Sequence, residues 1–209
     1  MLRSPADSAA PAAEPVDERG FPRLLPRLML VGSLIGLAAA FVLAVEKIAL
    51  LKNPGYVPSC SINPVLSCGS VMTTAQAEVF GFPNPLLGIA AFAVVTTVGA
   101  ALLARAGFPR WFWLGLQAGV TAGVVFVHWL IYQSLYVIGA LCPYCMIVWT
   151  VTIPVFGYVT LHNLARGTLP LPASGRSLVQ YHSVVLTVWF LAIITLIVVR
   201  FWSYWSTLL

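Results

Sequence analysis

RWFWLGLQAGVTAGVVFVHWLIYQSLYVIGALCPYCMIVWTVTIPVFGYVTLHNLAR, residues Arg110 to Arg166, decides the architecture of this chain. No Asp, Glu, Lys or Arg lies between the two terminal arginines. As one helix rising 1.5 Å per residue, the stretch would run about 83 Å, against a hydrocarbon core of about 30 Å. It must fold back on itself. Its natural break is Ile138-Gly139-Ala140-Leu141-Cys142-Pro143, which leaves two spanning helices of roughly Trp111–Val137 and Pro143–Asn163.

Outward from that hairpin, three more apolar runs reach spanning length. Leu28 to Val45 is uncharged, 18 residues long, and ends at Glu46-Lys47. A second run extends from near Leu86 to Arg105, and a last one, Ser177 to Val199, is framed by Arg176 and Arg200. The composition agrees, because 60% of the residues are hydrophobic and only 8% are charged. A soluble chain carries about 25% charge, so lipid must solvate most of this one. The sequence therefore predicts an all-α integral membrane protein. Four of the five spans lie within 27–165 and a fifth transmembrane helix follows over 177–200, with a loop at 166–176 and a tail at 201–209. Residues 1–26, rich in Pro, Ala and acids, form a leader expected to be disordered. The leader lacks the basic-then-apolar start of a cleavable signal peptide.

The net charge of +5 does not point to nucleic acid, since the bases are scattered and no basic stretch alternates with aromatics. In a membrane chain they report orientation. With the N-terminus inside, one side holds Arg3, Arg19, Arg23, Arg27, Arg105, Arg110, Arg166 and Arg176, and the other only Lys47, Lys52 and Arg200. Eight against three follows the positive-inside rule. The expected location is the inner (plasma) membrane, multi-pass, with a cytoplasmic leader and 166–176 loop. The first long loop, the Gly139 turn and the C-terminal tail then face out.

That first loop, 53–85, has Glu78 as its one charged residue and is broken by many prolines and glycines. Thr73-x-x-Gln76 has capping-box form and predicts a short helix of roughly Thr74 to Phe80. A loop this apolar, tied at both ends to spanning helices, reads as an extracytoplasmic lid. Glu46 and Lys47 beside it read as interfacial anchors, one of them available to steer a partner.

All four cysteines fall on the outer side of this topology, where thiols are free to pair. Cys60 and Cys68 sit in the lid, and Cys142-Pro143-Tyr144-Cys145 forms a C-x-x-C at a helix start. There Cys142 takes the N-cap and Pro143 the first helical position, and the helix dipole favours a thiolate on Cys142. Three roles compete. Structural zinc fits poorly, because C-x₇-C in a lid matched to C-x₂-C on a membrane helix departs from common zinc spacings. Two inert disulfides would merely staple the lid. Thiol–disulfide exchange uses both pairs. Met146 after Cys145 removes a c-type haem motif.

An exchange relay in a membrane needs a lipid-soluble redox partner, and a quinone fits. Its pocket is expected beside Cys145, with Trp149 one turn deeper on the same face, Asn84 at the start of the second span, and His128 near the outer boundary of the third. Each has a plain alternative: an interfacial belt position for Trp149, a cap before Pro85 for Asn84, and a hydrogen-bonded structural role for His128.

These residues resemble the vitamin K epoxide reductase family in its bacterial, actinobacterial-type form. The resemblance covers about Leu28 to Ala165 and rests on Cys60-Ser-Ile-Asn-Pro-Val-Leu-Ser-Cys68-Gly-Ser, Gly81-Phe-Pro-Asn-Pro-Leu-Leu-Gly88, His128-Trp129 and Cys142-Pro-Tyr-Cys145. It implies a four-helix bundle around a quinone, of menaquinone type, as co-substrate, with no metal. It also implies an oxidoreductase that reoxidises a DsbA-like thioredoxin-fold protein, and so supports disulfide formation in exported proteins. By motif, Cys60 would exchange with that partner, Cys68 would pass electrons to Cys142, Cys145 would react with quinone, and Asn84 would bond a quinone carbonyl. Members with the animal activity carry Tyr where this chain has Trp149. Some bacterial relatives carry a fused thioredoxin domain; only about ten residues follow Val199 here, so the partner is expected to be a separate protein. Two alternatives remain at this stage: a quinone or quinone-epoxide reductase running on partner thiols, or a non-enzymatic membrane protein with structural disulfides. Intramembrane charges usually mark transport paths, and the near-absence of them speaks against a transporter.

Overall fold

The computed structural model describes residues 21–169 and 181–207. The leader as far as residue 20, the 170–176 part of the expected loop, the first residues of the expected fifth helix (177–180) and the last two of the tail lie outside the described residues. The described chain is almost wholly helical, as the patterning predicts. Its elements are α1 (Phe21–Arg27), α2 (Ser33–Lys52), α3 (Cys68–Met72), α4 (Asn84–Leu103), α5 (Arg110–Tyr132), α6 (Pro143–Ala165), α7 (His182–Arg200) and α8 (Trp202–Trp205). Two π-helical segments, Leu28–Gly32 and Gln133–Ile138, and a 3₁₀ turn at Ala75–Glu78 complete them. Five helical stretches are long and apolar enough to cross a membrane: Leu24–Lys52, Asn84–Leu103, Arg110–Ile138, Pro143–Ala165 and His182–Arg200.

The first span starts earlier than the charge pattern alone suggests. Helix already occupies Phe21–Arg27, overlapping the end of the stretch expected to be a disordered leader, and continues through the π segment into α2. Arg27 is one long side chain near the end of an otherwise apolar run, and such a side chain can carry its charge to the interface without ending the helix.

The hairpin between α5 and α6 turns where the sequence places it. The last turn of the third span widens into the π segment, and Gly139 then adopts φ 71°, the left-handed conformation that glycine reaches without a Cβ clash. Its N–H donates to Ser134 O at 3.0 Å, which closes the segment.

Helix α2 packs against α4 and α6, and α5 against α6. At the end away from the lid, Leu25, Met29, Val98, Trp113, Val155 and Val159 form one buried cluster. Close contact there depends on Gly99, where a Cβ would lie 2.6 Å from Leu30 N. At the lid end a second cluster gathers Val127, Ile131, Leu135, Leu141, Trp149 and Phe201. Helix α7 touches α6 lightly, and its surface is mostly exposed to the surroundings of the bundle.

The lid departs from its predicted helix. The expected Thr74–Phe80 stretch holds a shorter 3₁₀ turn at Ala75–Glu78, and a further short helix, α3, precedes it. The Thr73 hydroxyl does not cap forward; it donates back to Gly69 O at 3.0 Å, and Ser67 caps α3 through Ser70 N at 3.3 Å. Gly69 is a residue of α3, packed where a Cβ would make contacts of 3.4 Å to Pro58 Cδ and Ser61 Oγ.

Candidate functional site

The lid is pinned over the start of α6 by a parallel bridge between Leu66 and Leu141. Leu141 N donates to Val65 O at 2.7 Å, and Ser67 N to Leu141 O at 2.9 Å. The residues after this bridge on each strand are Ser67-Cys68 and Cys142, so two backbone hydrogen bonds set the lid cysteine beside the helix cysteine. Asn63 stiffens the approach, its side-chain oxygen accepting from Val65 N at 3.0 Å and Leu66 N at 2.7 Å.

Cys60 and Cys68 form a disulfide, while Cys142 and Cys145 are free thiols. The Cys68 and Cys142 sulfurs are 3.1 Å apart. The three sulfurs of Cys60, Cys68 and Cys142 lie within 4.8 Å of one another, in a cluster with Leu43 and Met72. All three residues are buried. Cys142 is the N-cap of α6, as its sequence position indicates, and its sulfur accepts from Cys145 N at 3.4 Å. The Cys145 thiol hydrogen-bonds to the same sulfur and, aided by the N–H groups of Cys145 and Tyr144, holds the Cys142 thiol below its ordinary pKa against the opposing effect of burial. The arrangement is a thiol of raised thiolate character touching a disulfide, which is the geometry of exchange.

Under the lid a cavity of about 730 Å³ separates α4 from α5. That volume suits a ring-sized organic ligand. Its walls are apolar, including Leu43, Phe80, Ala91, Phe92, Leu116 and Val127, with Gly115 and Gly119 of α5 leaving open space. Cys145, Trp149 and Asn84 all border it, so the structure brings together three of the residues singled out from sequence. The Trp149 indole N–H is buried and has no hydrogen-bond partner among the described residues. Asn84 is engaged on both sides of its amide: Nδ2 donates to Gln76 O at 2.7 Å and Oδ1 accepts from Val79 N at 3.1 Å. It fastens the far limb of the lid while bordering the cavity.

His128 is not brought to this cavity. Trp189 of α7 donates from Nε1 to His128 Nε2 at 2.8 Å, and His128 Nδ1 lies 2.7 Å from Val124 O. An accepting Nε2 puts the proton on Nδ1, so the ring is a neutral link between α5 and α7.

Sequence reasoning missed two kinds of residue. Glu46 and Lys47, read as interfacial anchors, are buried beneath the lid. Glu46 Oε1 accepts from Ser59 Oγ at 2.5 Å, next to Cys60, while Lys47 Nζ donates to Met72 O at 2.6 Å and pairs with Glu78 at 2.8 Å. The available signal was Glu78, a lone lid charge that called for an opposite partner. Gln133 and Ser134 also border the cavity, exposed to it by the π segment, and nothing local in the sequence marks that widening.

No curated protein matches the chain significantly. A sequence model of the Vitamin K epoxide reductase family matches residues 27–160, which takes in the first four spans, the lid and all four cysteines. With that match over most of its length, the chain belongs to the vitamin K epoxide reductase family.

Proposed function

We propose that this multi-pass membrane oxidoreductase moves electrons from an extracytoplasmic thioredoxin-fold dithiol, through its two cysteine pairs, to a membrane quinone. One observation carries the reading: the 3.1 Å contact between Cys68 of the lid disulfide and Cys142, with Cys145 opening onto an apolar cavity. The partner's thiolate reduces the Cys60–Cys68 bond by attack on Cys60. The partner's second thiol closes the partner's own disulfide and frees Cys60; the Cys68 thiolate attacks Cys142 of a Cys142–Cys145 disulfide, and Cys60 resolves the mixed bond, leaving Cys142 and Cys145 as thiols. Cys145 faces the quinone, and Cys142 closes the disulfide as two electrons leave for the ring. The state described above, lid oxidised and helix pair reduced, lies one exchange from the mixed Cys68–Cys142 disulfide, which is crossed in either direction. Trp149 supports the ring site, because a buried N–H without an acceptor costs about 1–3 kcal/mol and a quinone oxygen would remove that cost. Asn84 is the second candidate for a ring oxygen. His128, held between Val124 and Trp189, acts on the site only by fixing α5 against α7. A menaquinone-type ring and a DsbA-like partner are the species this reading takes as substrates.

The test is cysteine trapping. Replacing Cys145 with Ser is expected to strand a Cys68–Cys142 disulfide, and a partner protein is expected to be caught on Cys60. Peptide mass spectrometry that finds the partner on Cys142 in chains lacking both lid cysteines would refute the order of the relay.

A further inference from the structure

A quinone that accepts two electrons must also take up two protons, and the walls of this cavity offer few sources. Asn84, Gln76, Gln133 and Trp149 can hydrogen-bond but do not release protons near neutral pH. Apart from Cys145, the one ionisable side chain on the cavity wall among the described residues is Lys47. It is 6% exposed, and its ammonium donates to Met72 O at 2.6 Å and pairs with Glu78 at 2.8 Å. An ammonium has three N–H donors; among the described residues these two contacts leave one for a ligand. The Glu78 side chain is 37% exposed, so the pair connects the apolar cavity to water at the lid surface. Lys47 also shares one limb of the lid with Asn84, since Met72, which Lys47 holds, lies four residues before Gln76, which Asn84 holds.

We propose that Lys47, recharged through Glu78, is the proton donor to the reduced quinone; the inference rests on the quinone reading above. The overall step is dithiol plus quinone giving disulfide plus hydroquinone. Cys142 and Cys145 lose two electrons and two protons as their sulfur–sulfur bond forms, and the ring gains two electrons and two protons on its oxygens. Cys142 reacts as a thiolate, so its proton is released before the electrons move, and the ring needs at least one proton from a group other than the two sulfurs. The Lys47 ammonium donates to the first reduced oxygen and becomes a neutral amine. Glu78 then takes a proton from outside water and returns it to Lys47, ready for the second oxygen. Protons leave and arrive on the same side, so the cycle carries no net charge across the membrane.

The experiment follows a single turnover of the reduced full-length protein in detergent with menadione, read by quinone absorbance. Lys47→Arg keeps the charge and can still reach Met72 O and Glu78, but a guanidinium does not give up a proton in a protein. That variant is expected to reduce menadione at least tenfold more slowly, with the lid disulfide as protected from external reductant as before. Glu78→Gln is expected to slow the reaction several-fold and to enlarge its solvent deuterium isotope effect. A Lys47→Arg rate within twofold of the unsubstituted chain would overturn the proposal and leave Lys47 as a lid fastener. Should arginine disturb the lid, Glu78→Gln decides: an unchanged rate and isotope effect overturn it equally. If the unsubstituted protein itself fails to reduce menadione, the quinone reading falls first, and that result needs no variant.

Discussion

Cys142 gathers three influences on one sulfur: the helix end, the Cys145 thiol and burial. The first two lower its pKa and the third raises it, with the Cys145 hydrogen bond the largest. Removing that donor has a definite sign. With the lid pair oxidised, Cys142 is expected to show thiolate ultraviolet absorbance at a pH below that of an ordinary thiol, and Cys145→Ala should move the midpoint upward. Because the folded pKa is depressed, the thiolate's contribution to stability is present above the unfolded value and is lost as pH falls through the folded one. A midpoint that stays put, or moves down, in Cys145→Ala would show that the helix end alone sets it. At this scale the sequence was legible where chemistry is local. C-P-Y-C declares its own cap, because Pro143 and Cys142 are neighbours along the chain. The partners of His128 and Asn84 were not legible, since Trp189 is 61 residues from His128 and Gln76 belongs to a lid whose path only the folded chain defines.

Among elements, the lid is the informative one. Glu46 and Lys47 fasten it at two points on either side of the Cys60–Cys68 loop, through Ser59 and through Met72 with Glu78. Cys60 is 5% exposed, so an external thiolate is expected to reach it only after the turn at Pro58–Ser61 moves. Glu46→Ala deletes the acceptor that Ser59 uses. It is expected to speed reduction of the lid disulfide by an external thiol several-fold, at a stability cost of about 1–3 kcal/mol. Equal reduction rates in the two proteins would mean that Ser59 is not what restrains the turn. The expected Thr74–Phe80 helix forms as the shorter 3₁₀ turn Ala75–Glu78 with Thr74 rather than Thr73 as its cap, the Thr73 hydroxyl donating back to Gly69 O. Helices α4 and α5 supply the complementary test of the cavity. A Cβ at Gly119 meets nothing within 4 Å, so Gly119→Leu is expected to fill the cavity and abolish quinone turnover with little loss of stability. Gly99→Ala, which drives a methyl into the backbone at Leu30, is expected to cost about 1–3 kcal/mol and to lower Tm in detergent. Turnover that survives Gly119→Leu would move the quinone elsewhere.

For the whole molecule, span number and order followed from the charge-free intervals, because length against bilayer thickness leaves few solutions. The first helix boundary did not, since Arg27 reads as an end in sequence and as a tolerated side chain in the folded chain. Orientation rests on the eight-to-three split of bases. Reporters fused after Arg105 or Arg166 are expected to read cytoplasmic, and those after Lys52 or Leu209 external; an internal Leu209 would contradict the five-span arrangement. The cavity's existence was foreseeable from four apolar helices and a C-x-x-C, but its position between α4 and α5 depends on which pairs pack tightly, and periodicity cannot rank them. The Leu66–Leu141 bridge has a kinetic consequence for the assembled protein. By holding the two sulfurs in contact it turns their exchange into a unimolecular event, and well-oriented intramolecular reactions reach effective molarities of about 10⁵–10⁸ M. No soluble thiol can compete at such a local concentration, so the bridge insulates the inner pair from stray reductants. In the proposed relay, throughput is then governed at the two ends, by arrival of the protein substrate and by exchange of the lipid one.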